Sequence, residues 1–81
     1  MNLLIVDDEY SVVDSLYSTI PWQDIGIKSI HKAYSGYEAM AKIQKKPIDI
    51  LITDIRMPGM SGLDLIKEIK KKGNTTKCIL L

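Results

Sequence analysis

The chain has 81 residues, 46% hydrophobic and 26% charged, which is the make-up of a globular domain and leaves no room for a second one. Eleven Lys and Arg against ten Asp and Glu give a formal charge of +1, so no long-range field draws nucleic acid or an acidic membrane, and any specificity must be local. One cysteine, Cys78, excludes an internal disulfide and a Cys-based zinc site, and no apolar run approaches the roughly 18 residues of a membrane span, so the chain is expected in the cytoplasm.

Leu3-Leu4-Ile5-Val6 is an unbroken apolar run ended by Asp7-Asp8, the pattern of a central strand covered on both faces. From Tyr10 to Ile20, Val12, Val13, Leu16, Tyr17 and Ile20 recur at helical spacing, and Pro21 stops the run. Pro21 to Gly26 reads as a turn, and Ile27 to Ala33, with Lys28, Ser29, His31 and Lys32 mixed in, as an edge strand. Ser35 and Glu38 have capping-box spacing ahead of a second helix that ends before Pro47. Ile48 to Thr53 is β-branched and again ends in a carboxylate, Asp54. After Met57-Pro58-Gly59, Ser61 and Asp64 repeat the capping interval, and Leu63, Ile66 and Ile69 form the expected inner face of a third helix that closes at Gly73. Lys77 to Leu81 reads as a fourth strand with the character of an interior one. Such alternation predicts an α/β fold, a parallel sheet with right-handed crossovers and helices on both faces. An interior-type strand with nothing to flank it suggests a chain truncated after that strand, or completed by a partner.

In a parallel sheet all strand carboxyl ends share one edge, and Asp7, Asp8 and Asp54 fall on it. Two strands each end in Asp after four β-favouring residues, so if they are neighbours the carboxylates converge. Three like charges with no His or Cys among them suit a hard divalent ion such as Mg²⁺. The plainer alternative makes Asp7 and Asp8 strand-end or helix-cap residues and Asp54 the start of a loop.

Leu4-Ile5-Val6-Asp7-Asp8-Glu9, and Asp49 to Gly62 with its Thr53-Asp54-Ile55-Arg56-Met57-Pro58-Gly59 centre, resemble the receiver domains of two-component response regulators. Trp22 to Gly26 is similar to a turn in regulators with an AraC-type helix-turn-helix output. The resemblance implies a flavodoxin-like sheet, of which residues 1–81 would be the N-terminal two-thirds, and phosphoryl transfer from a sensor histidine kinase. By matching, Asp54 is the phosphoacceptor and Asp7 and Asp8 form the acidic pocket. Asp8 and Asp54 are the side-chain ligands of Mg²⁺, Asp7 acts through water, and Arg56 offers its backbone carbonyl. The family's Ser or Thr at the end of the fourth strand and its Lys at the end of the fifth fall beyond Leu81, so metal binding is expected to survive better than phosphotransfer.

Other residues have plainer readings. His31 is expected to be a solvated strand histidine, Cys78 a buried and inert thiol, and Lys67, Lys70, Lys71 and Lys72 the solvated face of a helix. Met57, Met60 and Trp22 could offer a recognition surface. Three functions compete. The first is a receiver fragment whose acidic pocket binds Mg²⁺, from a parent that accepts one phosphoryl group on Asp54 and is not a turnover enzyme, with that acceptance expected to be impaired in these residues. The second is an assembly unit that self-associates through its exposed sheet edge and uncovered face. The third, an aspartate-nucleophile hydrolase, needs further groups that the chain has no room for. No DNA-reading element is present, so direct nucleic-acid contact is not expected.

Overall fold

The computed structural model describes residues 1–81. In chain order it contains β1 (Asn2–Val6), α1 (Tyr10–Thr19), a 3₁₀ turn (Trp22–Ile25), β2 (Ser29–Ala33), α2 (Gly36–Lys45), β3 (Ile50–Thr53), α3 (Gly62–Lys71) and β4 (Lys77–Leu80). The four strands form one parallel sheet in the order β2-β1-β3-β4. Leu4 of β1 stands opposite His31 and Leu51, and Val6 opposite Ala33 and Thr53. This is the α/β, flavodoxin-like arrangement the sequence predicts, with β1 and β3 interior and β2 at an edge.

Alternation along β1 explains its unbroken hydrophobicity, because successive side chains point to opposite faces. Leu4 and Val6 join Leu51, Leu65 and Ile69 beneath α2 and α3. Leu3 and Ile5 pack with Val13, Trp22 and Ile27 beneath α1. The α1 side is the thinner layer, since one helix covers it where two cover the other.

The turn expected from Pro21 to Gly26 is present as a 3₁₀ turn, closed by Gly26 at φ 88°, a left-handed conformation that favours glycine. Several local expectations are corrected. Trp22 is not a recognition surface: it is 7% exposed and donates its indole N–H to the carbonyl of Leu16 at 3.1 Å. Met57 is likewise core, whereas Met60 is half-buried against it. Strands β2 and β3 each start two residues later than expected. Ile27 and Ile48 are buried outside the ladder, and Asp49 instead accepts the Asn2 amide on Oδ2 at 2.7 Å.

The two helix starts differ. Ser61 and Asp64 form a complete capping box, each side chain accepting the other's backbone N–H, at 3.1 and 3.2 Å. At α2 only half of it forms. Ser35 accepts the Glu38 amide at 3.0 Å, but Glu38, one methylene longer than Asp64, reaches past Ser35 to the Tyr34 amide at 2.8 Å. On α3 the inner face is Gly62, Leu65 and Ile69, not Leu63, which is 49% exposed. Two residues along a helix turn by about 200°, so Leu63 and Leu65 cannot share a face.

Strand β4 is a sheet edge, with Ile79, Leu80 and Leu81 at 46%, 41% and 52% exposure. Cys78 is half-buried rather than fully buried, and its thiol approaches the Thr76 carbonyl at 3.6 Å. Lys67, Lys70, Lys71 and Lys72 are exposed as expected.

Candidate functional site

The strand ends assemble the site. β1 and β3 are neighbours in register, so Asp7 and Asp54 each occupy the position immediately past a paired strand end. The ladder extends to them: Asp54 donates its N–H to the Val6 carbonyl at 3.0 Å, and Asp7 donates to Ala33 at 3.3 Å. One carboxylate oxygen from each of Asp7, Asp8 and Asp54 lies within 4.8 Å of the others. The convergence expected of two similarly patterned strands is therefore present.

Local hydrogen bonds orient these groups. Asp7 Oδ1 accepts the Glu9 amide at 2.9 Å, which turns the chain into α1, and Asp54 Oδ1 accepts the Ile55 amide at 2.8 Å. Glu9, not Asp7 or Asp8, occupies the N-cap of α1, and its side chain makes no capping bond. Asp7 thus shapes the turn while keeping its carboxylate in the cluster. The cluster is graded in burial: Asp7 is 6% exposed, Asp54 half-buried and Asp8 open to water. Burial raises the Asp7 pKa above the ordinary carboxylate value; the Glu9 amide opposes this, and the charges of Asp54 and Asp8 reinforce it. Bringing the three together without a cation is therefore unfavourable.

The donor set fits a hard cation. It is all oxygen, the ligand type that Mg²⁺ takes, and the three carboxylate oxygens lie close enough together to surround one ion. Arg56 lies on the exposed stretch two residues after Asp54, where with Met57, Pro58 and Ser61 it borders a shallow recess.

Two residues that sequence reasoning passed over support Asp54. Thr53 is fully buried at the end of β3 and donates its hydroxyl to the Asp54 carbonyl at 3.1 Å. Gly62 starts α3 directly against that carbonyl, donates its N–H to Ile55 at 2.9 Å, and has no space for a Cβ. A hydroxyl at the end of an apolar strand was the one sequence signal for the first. Nothing local signals the second.

Residues 3–81 match the family described as response regulator receiver domain. The chain is 40% identical over 80 residues to the uncharacterized transcriptional regulatory protein YesN of Bacillus subtilis, covering 99% of this chain and 22% of that protein. It is 40% identical over 68 residues to the transcriptional regulatory protein HptR of Staphylococcus aureus, covering 84% of this chain and 27% of that one. The chain thus spans about a quarter of the length of these relatives. Among solved structures, a two component transcriptional regulator AraC from Clostridium phytofermentans superposes with TM-score 0.93 at 35% identity, over 99% of this chain and 62% of the other. The response regulator TrrA from Thermotoga maritima, in complex with Mg²⁺ and BeF, gives TM-score 0.84 at 39% identity, over 98% and 66%. With Asp7, Asp8 and Asp54 gathered at the carboxyl edge of its sheet, the chain belongs to the response regulator receiver domain family.

Proposed function

We propose that Asp54 accepts a phosphoryl group from a sensor histidine kinase in a Mg²⁺-dependent reaction. The supporting observation is the carboxylate cluster, with Asp54 at the end of an interior strand and Asp7 and Asp8 beside it. Asp8 and Asp54 would hold the metal through their side chains, Asp7 through a water and Arg56 through its backbone carbonyl. When bound, Mg²⁺ offsets the repulsion between carboxylate and phosphoryl oxygens and orients the group being transferred. An oxygen of Asp54 attacks phosphorus, the bond to the kinase imidazole breaks, and its electron pair goes to that nitrogen, leaving an acyl phosphate on Asp54. The chain is thereby a phosphoacceptor that promotes its own modification, not a turnover enzyme. Lys77 opens β4 at the opposite end of the strand from the cluster, so it does not pair with the phosphoryl charge there. Phosphorylation of the 81 residues alone is accordingly slow. Joined to the rest of a protein of the relatives' length, the segment serves in the cytoplasm as the switch of a transcription regulator, without itself touching nucleic acid.

Intact-protein mass after incubation with Mg²⁺ and a small phosphodonor tests this, with circular dichroism to verify folding. A single phosphoryl adduct that Asp54→Asn abolishes is expected. An adduct that persists in the variant counts against Asp54 as the acceptor, whereas none on the folded protein favours the assembly reading below.

A second reading is favoured by β4, an unprotected sheet edge bearing exposed Ile79, Leu80 and Leu81. Two copies associate through this edge and the thinly covered α1 face. Light scattering at high protein concentration that shows only monomer removes this reading.

A further inference from the structure

Away from the carboxylates, on the α2 side of edge strand β2, His31, Lys42, Lys45 and Lys46 line a recess of about 100 Å³. We infer that this recess is a binding site for a compact tetrahedral oxyanion of the phosphate class. The site is independent of the phosphoacceptor reading, because none of its residues belongs to the carboxylate cluster.

Charge is the first support. No carboxylate lines the recess: α2 contributes Lys42 and Lys45, the connection to β3 contributes Lys46, and the β1 residue paired with His31 is the apolar Leu4. The only ion pair in the chain is Lys32 with Asp14, on the other face of β2, so the three lysines have no anionic partner of their own. In a chain whose net charge is +1, that sets three lysines without a carboxylate partner around one small concavity. Confined like charges focus a field that an anion relieves.

Shape is the second. A water molecule takes about 30 Å³ in the liquid, so the recess has room for a few waters or one compact oxyanion, but not for a nucleoside. Its donors are partly fixed in place. Lys42 is half-buried with its ammonium hydrogen-bonded to the Lys32 carbonyl, and His31 is half-buried on a paired strand. Burial, followed by the charges of Lys46 and Lys42, holds the His31 pKa below its ordinary value. An anion among these groups favours the imidazolium, so binding takes up a proton and strengthens as pH falls.

His31 is the only histidine, so its ring protons report the site without further assignment. The 81-residue protein is titrated by proton NMR with sulfate, whose charge is constant across the range, against chloride at matched ionic strength. A saturable shift with sulfate alone is expected, along with a rise in the His31 midpoint. The exposed pair Lys45→Gln with Lys46→Gln weakens binding by about tenfold or more. Equal responses to chloride and sulfate, or an unchanged response in the double variant, overturn the site. Inorganic phosphate and a small phosphate monoester then separate the sources: saturation by both means an esterified phosphate is accepted, and saturation by phosphate alone confines the site to the free ion. If sulfate saturates but neither phosphate does, the assignment to the phosphate class is overturned.

Discussion

Gly62 and Asp54 meet backbone to backbone: a Cβ on Gly62 would overlap the Asp54 carbonyl oxygen and lie 3.2 Å from Thr53 Oγ1. The helix that follows the loop therefore begins flush against the strand end that carries the proposed phosphoacceptor. Gly62→Ala must push α3 away or twist Asp54. The expected loss is about 1–3 kcal/mol in chemical denaturation, the usual range for overpacking a fitted interior. Gly26→Ala meets no neighbouring atom and carries only the left-handed backbone penalty of about 1–2 kcal/mol, so it serves as the control for strain without overlap.

Asp7→Asn preserves the acceptor for the Glu9 amide but removes one charge from the cluster. Because the Asp7 pKa is raised in the folded state, that state binds the proton more tightly than the unfolded chain does. In metal-free buffer, stability therefore rises as pH falls through the raised value towards the ordinary 3.8, and this gain is complete below it. The variant should lack that contribution to the pH dependence and be the more stable of the two at pH 7. Adding Mg²⁺ should reverse the ranking, since an ion that binds only the folded state stabilises it by mass action. Thermal melts with and without Mg²⁺ at several pH values measure both effects.

Trp22 is the single tryptophan and its indole is buried against α1 and β1. Its emission should be blue-shifted in the native protein and move to the red in one step on unfolding. Trp22→Phe loses the bond to Leu16 and part of the packing, for an expected loss of about 1–3 kcal/mol in urea denaturation.

Cys78 should alkylate slowly in the folded protein. Burial raises its thiol pKa, and nearby Lys70 only partly opposes this. Since the thiolate is the reactive form, iodoacetamide should label the native chain several-fold more slowly than the urea-unfolded one, with a rate that climbs as pH rises. Equal rates would mean that the β4 edge is open at Cys78.

The parts of this fold legible in the sequence were those written in short-range pattern. Leu3 to Asp7 and Ile50 to Asp54 each announce a strand that ends in a carboxylate, and Ser61 with Asp64 announces a helix start that forms in full. Where range or reach mattered, the pattern fell short. Glu38 spans one residue more than the capping interval anticipates, so its helix start forms by halves. Trp22 stands in a short turn between Pro21 and Gly26 with no periodic pattern around it, and the Leu16 carbonyl and the α1-side core explain its burial. Gly62 gives no local sign that α3 lies against Asp54, because that approach exists only after β3, the loop and α3 have packed.

The strand order also dictates when the cluster is born. β1 lies between β2 and β3, so during synthesis residues 2–33 can close a strand–helix–strand unit before β3 has been made. Asp7 and Asp8 are alone at that stage. Asp54 joins them only when β3 docks on the free side of β1, across some fifty residues of chain, and pairings of that span are the slower ones to form. The early unit therefore assembles with only the Asp7–Asp8 pair in conflict, and the Asp54 charge is added when β3 docks, a step that an available divalent ion can favour.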